Sequence, residues 1–401
     1  MKLLHLELAA EVGPFEPVGS DCAIVCTMSA SGLPDSLVLP ERLLCGPGPT
    51  NVDPRVLDAL AKPILGHLDP DFLRVLEDVA AMLHTLFRRS DGLALALSST
   101  GTSGVDAGIA ALVEPGDTVI VGAAGYFGER LCEHARRHRA EVVEVEVSPG
   151  ASVPVERLEE ALRAHPEARL LALVHAETST GVRQPLDDVA ALLAGRETLL
   201  VLDCVTSLGG IAVEAERWGA DYCFSCSQKC VGAPPGLAPV CLSERALARI
   251  RGRGRPAPFV FDFELLAGYW TRRPPVYHHT APVNEVYALH EALRLLLEEG
   301  LDARFARHSD AGGYLQDALR ERGLELLADP EVQLPQLTAV RVPEGRDGRE
   351  VQRRLLVEHG IEIGGSLVST PAWRIGLMGV NATRAVADRV IDALDAVLGQ
   401  L

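Results

Sequence analysis

The 401-residue chain predicts an α/β fold, a mostly parallel sheet covered by helices, followed by a smaller α+β region. Two observations carry this. From Leu93 onward, short apolar runs of strand length alternate with helix-period segments, the pattern of strands joined by covering helices. After Asn284 that alternation gives way to long helical faces with shorter strands between them. The length exceeds one small core and points to two domains.

Taken in order, residues 1–38 show weak periodicity, with Gly, Pro and Ser scattered from Val12 to Asp35. They read as an N-terminal extension of unknown role, either an arm on a partner subunit or residues ahead of the true start. Buried strands are expected at Leu93–Leu97, Thr118–Val121, Val142–Val147, Leu170–Val174 and Leu199–Leu202, with a further strand before Lys229. Val155–Ala164 has the 3.6-residue period of a helix between them. In such sheets ligands sit beyond the carboxyl ends of the strands, so chemistry is expected just after each run. Val286, Leu289, Leu293 and Leu296 share one helical face that Gly300 should end. Strands near Thr338–Val342 and Ile361–Ile363 follow. The last helix starts after Thr383 and carries Val386, Val390, Leu394 and Val397. The expected division is a large domain over 39–283, including an N-terminal arm, and a small domain over 284–401.

Composition excludes several function classes. The chain is 47% hydrophobic and 23% charged, ordinary for a globular protein. Its 38 basic and 55 acidic residues leave a net charge of −17, which disfavours nucleic-acid and anionic-membrane partners. An anionic ligand must therefore be held by local groups. No apolar run approaches the roughly 20 residues of a spanning helix. The start is too short an apolar stretch for a signal peptide, and Gly399-Gln-Leu401 is not the usual peroxisomal tripeptide, so a cytoplasmic protein is expected. Of nine cysteines, Cys223, Cys226 and Cys230 are closest together, with Cys22 and Cys26 a second pair. Zinc would want four ligands in paired spacing, so free thiols packed as small hydrophobes are the expectation.

Three segments carry candidate chemistry, each following a strand. Ser98-Ser-Thr-Gly101-Thr-Ser-Gly104 opens a helix, where free N–H groups and hydroxyls make an anion site without a lysine; an ordinary strand-to-helix turn is the alternative. Asp203 ends an apolar run, where a carboxylate is costly without a cationic partner, unless it caps the next segment. Lys229 lies among small and apolar residues before Ala233-Pro-Pro-Gly236. A desolvated amine there has a lowered pKa and suits Schiff-base chemistry, whereas a loop-edge lysine would be solvated. An anion cradle, an acid for a ring nitrogen and a Schiff-base lysine together fit pyridoxal phosphate.

Longer segments extend the pattern: Gly46-Pro-Gly-Pro49-Thr-Asn51, Val113-Glu-Pro-Gly-Asp117, Thr178-Ser-Thr-Gly181, Asp203-Cys-Val-Thr-Ser-Leu-Gly-Gly210, Ser227-Gln-Lys229, Tyr277-His-His-Thr280 and Arg374-Ile-Gly376. In these, from about Leu43 to the C-terminus, the chain resembles the alanine/serine–glyoxylate aminotransferases of the class V, fold-type I pyridoxal-phosphate enzymes. The resemblance implies a seven-stranded-type sheet in the large domain and pyridoxal 5'-phosphate as cofactor. It implies that Lys229 forms the Schiff base and shuttles a proton, while Asp203 pairs with the ring nitrogen. Thr100, Gly101, Thr102 and Gln228 would surround the phosphate, and Tyr277 and Thr280 would reach it from a second subunit of a homodimer. Phe127 and Val205 would flank the ring, and Thr178 would contact its hydroxyl. Arg374, with Gly46, would bind the substrate carboxylate. Amino and 2-oxo acids are the implied partners.

Phe127 replaces a common tryptophan, Thr102 a common histidine and Thr178 a common serine, and Gly364–Thr370 differs from the usual loop; these departures bear on substrate preference. The leading expectation is transamination between alanine or serine and glyoxylate or pyruvate. Ureidoglycine–glyoxylate and aminoethylphosphonate–pyruvate transaminations are the alternatives. A desulfurase would need a late mobile cysteine, but none follows Cys241, and Gln228 stands before the lysine where a histidine is typical. A non-catalytic relative would have no need of Lys229, Asp203 and Arg374. His278 and His279 are adjacent and cannot share one face, against a metal site. His134 and His138 read as a solvated helix face.

Overall fold

Seven strands build the central sheet of the computed structural model, which describes residues 37–399. They are β1 (Leu93–Leu97), β2 (Thr118–Ala123), β3 (Glu141–Glu146), β4 (Leu170–Val174), β5 (Leu199–Asp203), β6 (Ala220–Phe224) and β7 (Ala238–Leu242). Their spatial order is β1-β7-β6-β5-β4-β2-β3. β7 runs antiparallel to both neighbours and the other six run parallel to one another. β1, β4, β5, β6 and β7 are buried along their whole length, which is why they read as unbroken apolar runs.

β3 departs from the expected buried strand. It is a sheet edge with Glu141, Glu144 and Glu146 exposed, and of its valines only Val145 is buried. Charges on an open edge discourage pairing with another chain. β7 was not anticipated, because Pro239 in Ala238-Pro-Val-Cys-Leu242 argues against an interior strand. Helix 155–164 falls where the periodicity puts it, and helix 101–112 opens within the Ser98–Gly104 segment as expected. In the latter, Gly104 and Gly108 let the helix lie against β6: a Cβ at Gly108 would come 2.1 Å from Tyr222 Cε1. Tyr222 Oη donates to Gly104 O at 2.6 Å.

Gly300, at φ 86, separates helix Val283–Glu299 from helix Leu301–Glu321. The second helix was unexpected. Gly312 and Gly313 interrupt its pattern, and a Cβ at Gly312 would sit 2.0 Å from Pro335 O. Beyond it, β8 (Leu337–Arg341) pairs antiparallel with β9 (Ala372–Gly376). The final helix is Arg384–Leu398, with the Thr383 side chain accepting from Val386 N. One apolar core gathers residues from Val56 to Leu296, and a second joins Cys45 to Ala311–Val397. The strand Leu43–Leu44 pairs with Ile361–Glu362 and so ties the Pro47 loop to the second core. No helix among the described residues is long and apolar enough to cross a membrane. The seven described cysteines are free and buried; Cys22, Cys26 and nearly all of the expected extension over residues 1–38 lie outside the described residues.

Candidate active site

Val174, Asp203 and Phe224 are the last residues of β4, β5 and β6, and all three line one cleft. Thr100, Gly101, Thr102, Phe127, Thr178, Val205, Gln228 and Lys229 line it too. These residues sit some 130 positions apart in sequence and meet because consecutive strand ends open onto the same side of a parallel sheet.

At one end, helix Gly101–Leu112 begins at Thr100 without a side-chain cap, leaving its first N–H groups directed at the cleft. Gly101 packs closely, since a Cβ there would be 3.1 Å from Cys226 Cβ. Gln228 Oε1 is buried with no hydrogen-bond partner. Asp203 is 7% exposed, and Val205 N donates to its Oδ1 at 2.8 Å. Burial pushes the Asp203 carboxyl up to about 7, with the Val205 hydrogen bond opposing and the Glu177 charge adding. Thr178 Oγ1 is hydrogen-bonded to Thr206 Oγ1.

Lys229 Nζ donates to Pro47 O. Desolvation lowers its pKa from 10.5, opposed by the nearby Cys226 and helped by the positive charge of Arg374. Gly48, at φ +100, lies directly against this side chain: a Cβ would be 2.4 Å from Lys229 Cδ. Arg374, in the middle of β9, is 6% exposed, and burial lowers its pKa to about 10. Its Nε donates to Gly365 O at 2.7 Å, and among the described residues no carboxylate pairs with it.

Not every expected residue reaches the cleft within one chain. Tyr277 is 59% exposed and Thr280 is exposed, both away from its walls. Gly46 is buried beneath β9, where its carbonyl would lie 2.1 Å from a Cβ at Gly376. The His134/His138 pair is not a solvated face. Both rings contact Asp106 Oδ1, at 3.2 and 2.9 Å, and His134 lines the cleft. Arg130 lines it as well, donating to Thr102 Oγ1 at 3.3 Å. Phe127, Arg130 and His134 are spaced i, i+3 and i+7, so one helical face carries all three, and that spacing was the signal available in sequence. Gly48 and Glu177 also went unnoticed.

The cleft matches the chemistry of pyridoxal phosphate at three points: uncapped helix amides and an unpartnered amide oxygen at one end, an underpaired buried carboxylate within, and a desolvated amine between. Fold and site together define a fold-type I pyridoxal-phosphate enzyme. The aminotransferase class V family profile matches residues 66–384. Alanine–glyoxylate aminotransferase of Oryctolagus cuniculus is 38% identical over 364 residues, covering 89% of this chain and 93% of the relative. The crystal structure of alanine–glyoxylate aminotransferase from Nostoc sp. superposes with a TM-score of 0.89 at 45% identity, covering 91% of this chain and 97% of that one. Ureidoglycine–glyoxylate aminotransferase from Bacillus subtilis gives 0.88 at 35%, covering 91% and 95%. The chain belongs to the class V aminotransferases, with pyridoxal phosphate as cofactor and transamination as its reaction.

Proposed function

We propose that this enzyme moves an amino group from alanine or serine to glyoxylate or pyruvate. The observation carrying this reading is Arg374, a buried guanidinium whose Nε is tied to Gly365 O while no carboxylate among the described residues forms a salt bridge with it. Its remaining N–H groups suit the fork geometry of a small α-carboxylate. The similarity to alanine–glyoxylate aminotransferases supports the donor and acceptor.

When bound, pyridoxal phosphate supplies an electron sink for the bonding pair released at the substrate α-carbon. Lys229 would hold the cofactor through its Nζ and would serve as the base for the substrate Cα proton. The desolvation that lowers its pKa favours the neutral, basic form of the amine. Asp203 would hold the ring nitrogen in its protonated form, and a cation there would offset the burial of its carboxylate. The N–H groups at Gly101 and Thr102, the Thr100 and Thr102 hydroxyls and the Gln228 amide would hold the phosphate. Phe127 and Val205 would hold the ring, Thr178 would take its hydroxyl, and Gly46 would support the substrate end from beneath β9.

A homodimer completes the site in this reading, with Tyr277 and Thr280 reaching the phosphate of the second subunit. Their exposure, beside Phe259 at 66% and Val276 at 46%, supports a face covered by another copy. The large domain, 39–283, would supply the cofactor site and the small domain, 284–401, the carboxylate clamp. Two separate apolar cores support two domains, but helix Val283–Glu299 packs in the first core through Val286–Leu296 and Cys45 packs in the second, so the cores part after that helix rather than at residue 284.

The test is the near-visible spectrum of the cofactor-loaded protein. L-alanine or L-serine should bleach its absorption band and glyoxylate should restore it, and Lys229→Ala should abolish the cycle. A band that neither amino acid bleaches refutes this donor assignment. Full transamination by Lys229→Ala refutes the mechanism. Bleaching by ureidoglycine alone would favour the reaction of the Bacillus subtilis relative.

A further inference from the structure

Glu177 is 1% exposed, forms no salt bridge among the described residues although its charge acts on Arg374, and takes no part in the reaction derived above. Its main chain belongs to a short hairpin, Ala176–Glu177 against Val182–Arg183, whose turn contains Thr178. Its side chain leaves that hairpin for the start of helix Tyr126–Arg137, which carries Phe127. The helix begins at Gly125 and has no side-chain cap of its own. Glu177 Oε2 accepts from Gly128 N at 3.2 Å, and Oε1 accepts from Phe127 N at 3.5 Å. On the hairpin side, Oε1 accepts from Ser179 N at 3.0 Å and Ser179 Oγ at 2.5 Å. Ser179 Oγ in turn accepts from Tyr126 N at 3.1 Å. One carboxylate and one hydroxyl thus take three first-turn amides of the helix and bind them to the turn that carries Thr178.

We propose that Glu177 is a positioning residue of the active site, its carboxylate locking the first turn of helix Tyr126–Arg137 to the Thr178 turn so that Phe127 and Thr178 meet the cofactor ring as one unit. The proposal rests on the reading of Phe127 and Thr178 as ring contacts. Burial raises the Glu177 pKa, while Ser179 and the backbone amides of Gly128 and Phe127 favour the anion. The positive end of the helix acts in the same direction. A carboxylate accepts at both oxygens; glutamine presents one oxygen and an NH2 that would oppose an N–H on one side.

The experiment is a double-mutant cycle on cofactor affinity. Dissociation constants for pyridoxal phosphate are measured by absorbance titration of cofactor-free wild type, Glu177→Gln, Phe127→Ala and the double variant, with visible-region circular dichroism of each loaded form. Glu177→Gln is expected to weaken binding by roughly tenfold or more, the scale of one charge-assisted hydrogen bond, and to reduce the visible dichroism. In the Phe127→Ala background the same change should weaken binding by less than about threefold, because residues acting as a unit are not additive. Equal effects in both backgrounds, or wild-type affinity in Glu177→Gln, would overturn the proposal. If Phe127→Ala alone changes neither affinity nor dichroism, the ring-contact reading fails first and takes this proposal with it. Should Glu177→Gln not fold, Ser179→Ala replaces it in the cycle with the same expected non-additivity, and additivity again overturns the idea.

Discussion

Replacing Asp203 by asparagine removes a charge that the folded chain finds hard to keep. In the cofactor-free protein, burial moves this carboxyl from 3.8 to about 7. The folded state therefore binds more protons than the unfolded state between those values, and stability falls as pH rises through that window. The favourable condition is fully present below about pH 4 and lost above about pH 7. A rise from 3.8 to about 7 corresponds to on the order of 4 kcal/mol across the window, an upper bound for a site that relaxes or admits water. Asparagine keeps the size and loses the titration. Urea unfolding of cofactor-free wild type and Asp203→Asn at pH 5 and pH 8 should show wild type losing ground to the variant at the higher pH. Adding pyridoxal phosphate at pH 8 should reverse this, stabilising wild type more than the variant, because the ring nitrogen supplies the missing cation. A difference between the two proteins that is independent of pH would refute the assignment of Asp203 as an underpaired buried acid. Equal stabilisation by cofactor would refute its pairing with the ring.

Two further substitutions test neighbouring parts of the site. Arg374→Ala should raise KM for carboxylate donors and lower kcat/KM by roughly 30- to 1,000-fold, the cost of leaving a carboxylate without its charged partner, and lysine should restore little of it; unchanged steady-state kinetics would remove Arg374 from the site. Gly48→Ala should cost about 1–3 kcal/mol in an unfolding titration, because φ +100 strains any side chain, and should slow formation of the cofactor absorption band, because the new methyl occupies the space of the Lys229 side chain; band formation at the wild-type rate would refute the tight packing of Gly48 on that lysine.

Much of the sheet was legible because strands buried on both faces have to be apolar throughout, as Leu93–Leu97 and Leu170–Val174 are. β7 was hidden by Pro239, and helix Leu301–Glu321 by two glycines, one of which is needed for contact with Pro335. In both cases tertiary packing overrides the local signal. The residues at strand ends, Asp203 and Lys229, stood out because a charge after an apolar run needs a reason. Glu177 did not, since a carboxylate in a polar turn looks solvated until a helix start is seen docked on it. Arg374 was visible through the family motif, whereas its lack of a salt bridge to any carboxylate among the described residues is a property of the folded chain.

The position of β7 also governs how the molecule can be made. β1 is a sheet edge whose one neighbour in the sheet is β7, with Leu97 facing Ala238. During synthesis β1 leaves the ribosome roughly 140 residues before its partner exists, a delay on the order of ten seconds at ordinary elongation rates. For that interval an apolar strand with an unpaired edge must stay out of contact with other nascent chains. The lysine loop, strung between β6 and β7, acquires its place only when that late partner arrives. Cofactor capture therefore belongs to the end of folding, and a chain truncated before Ala238 would leave β1 without its sheet partner and the lysine without its anchor.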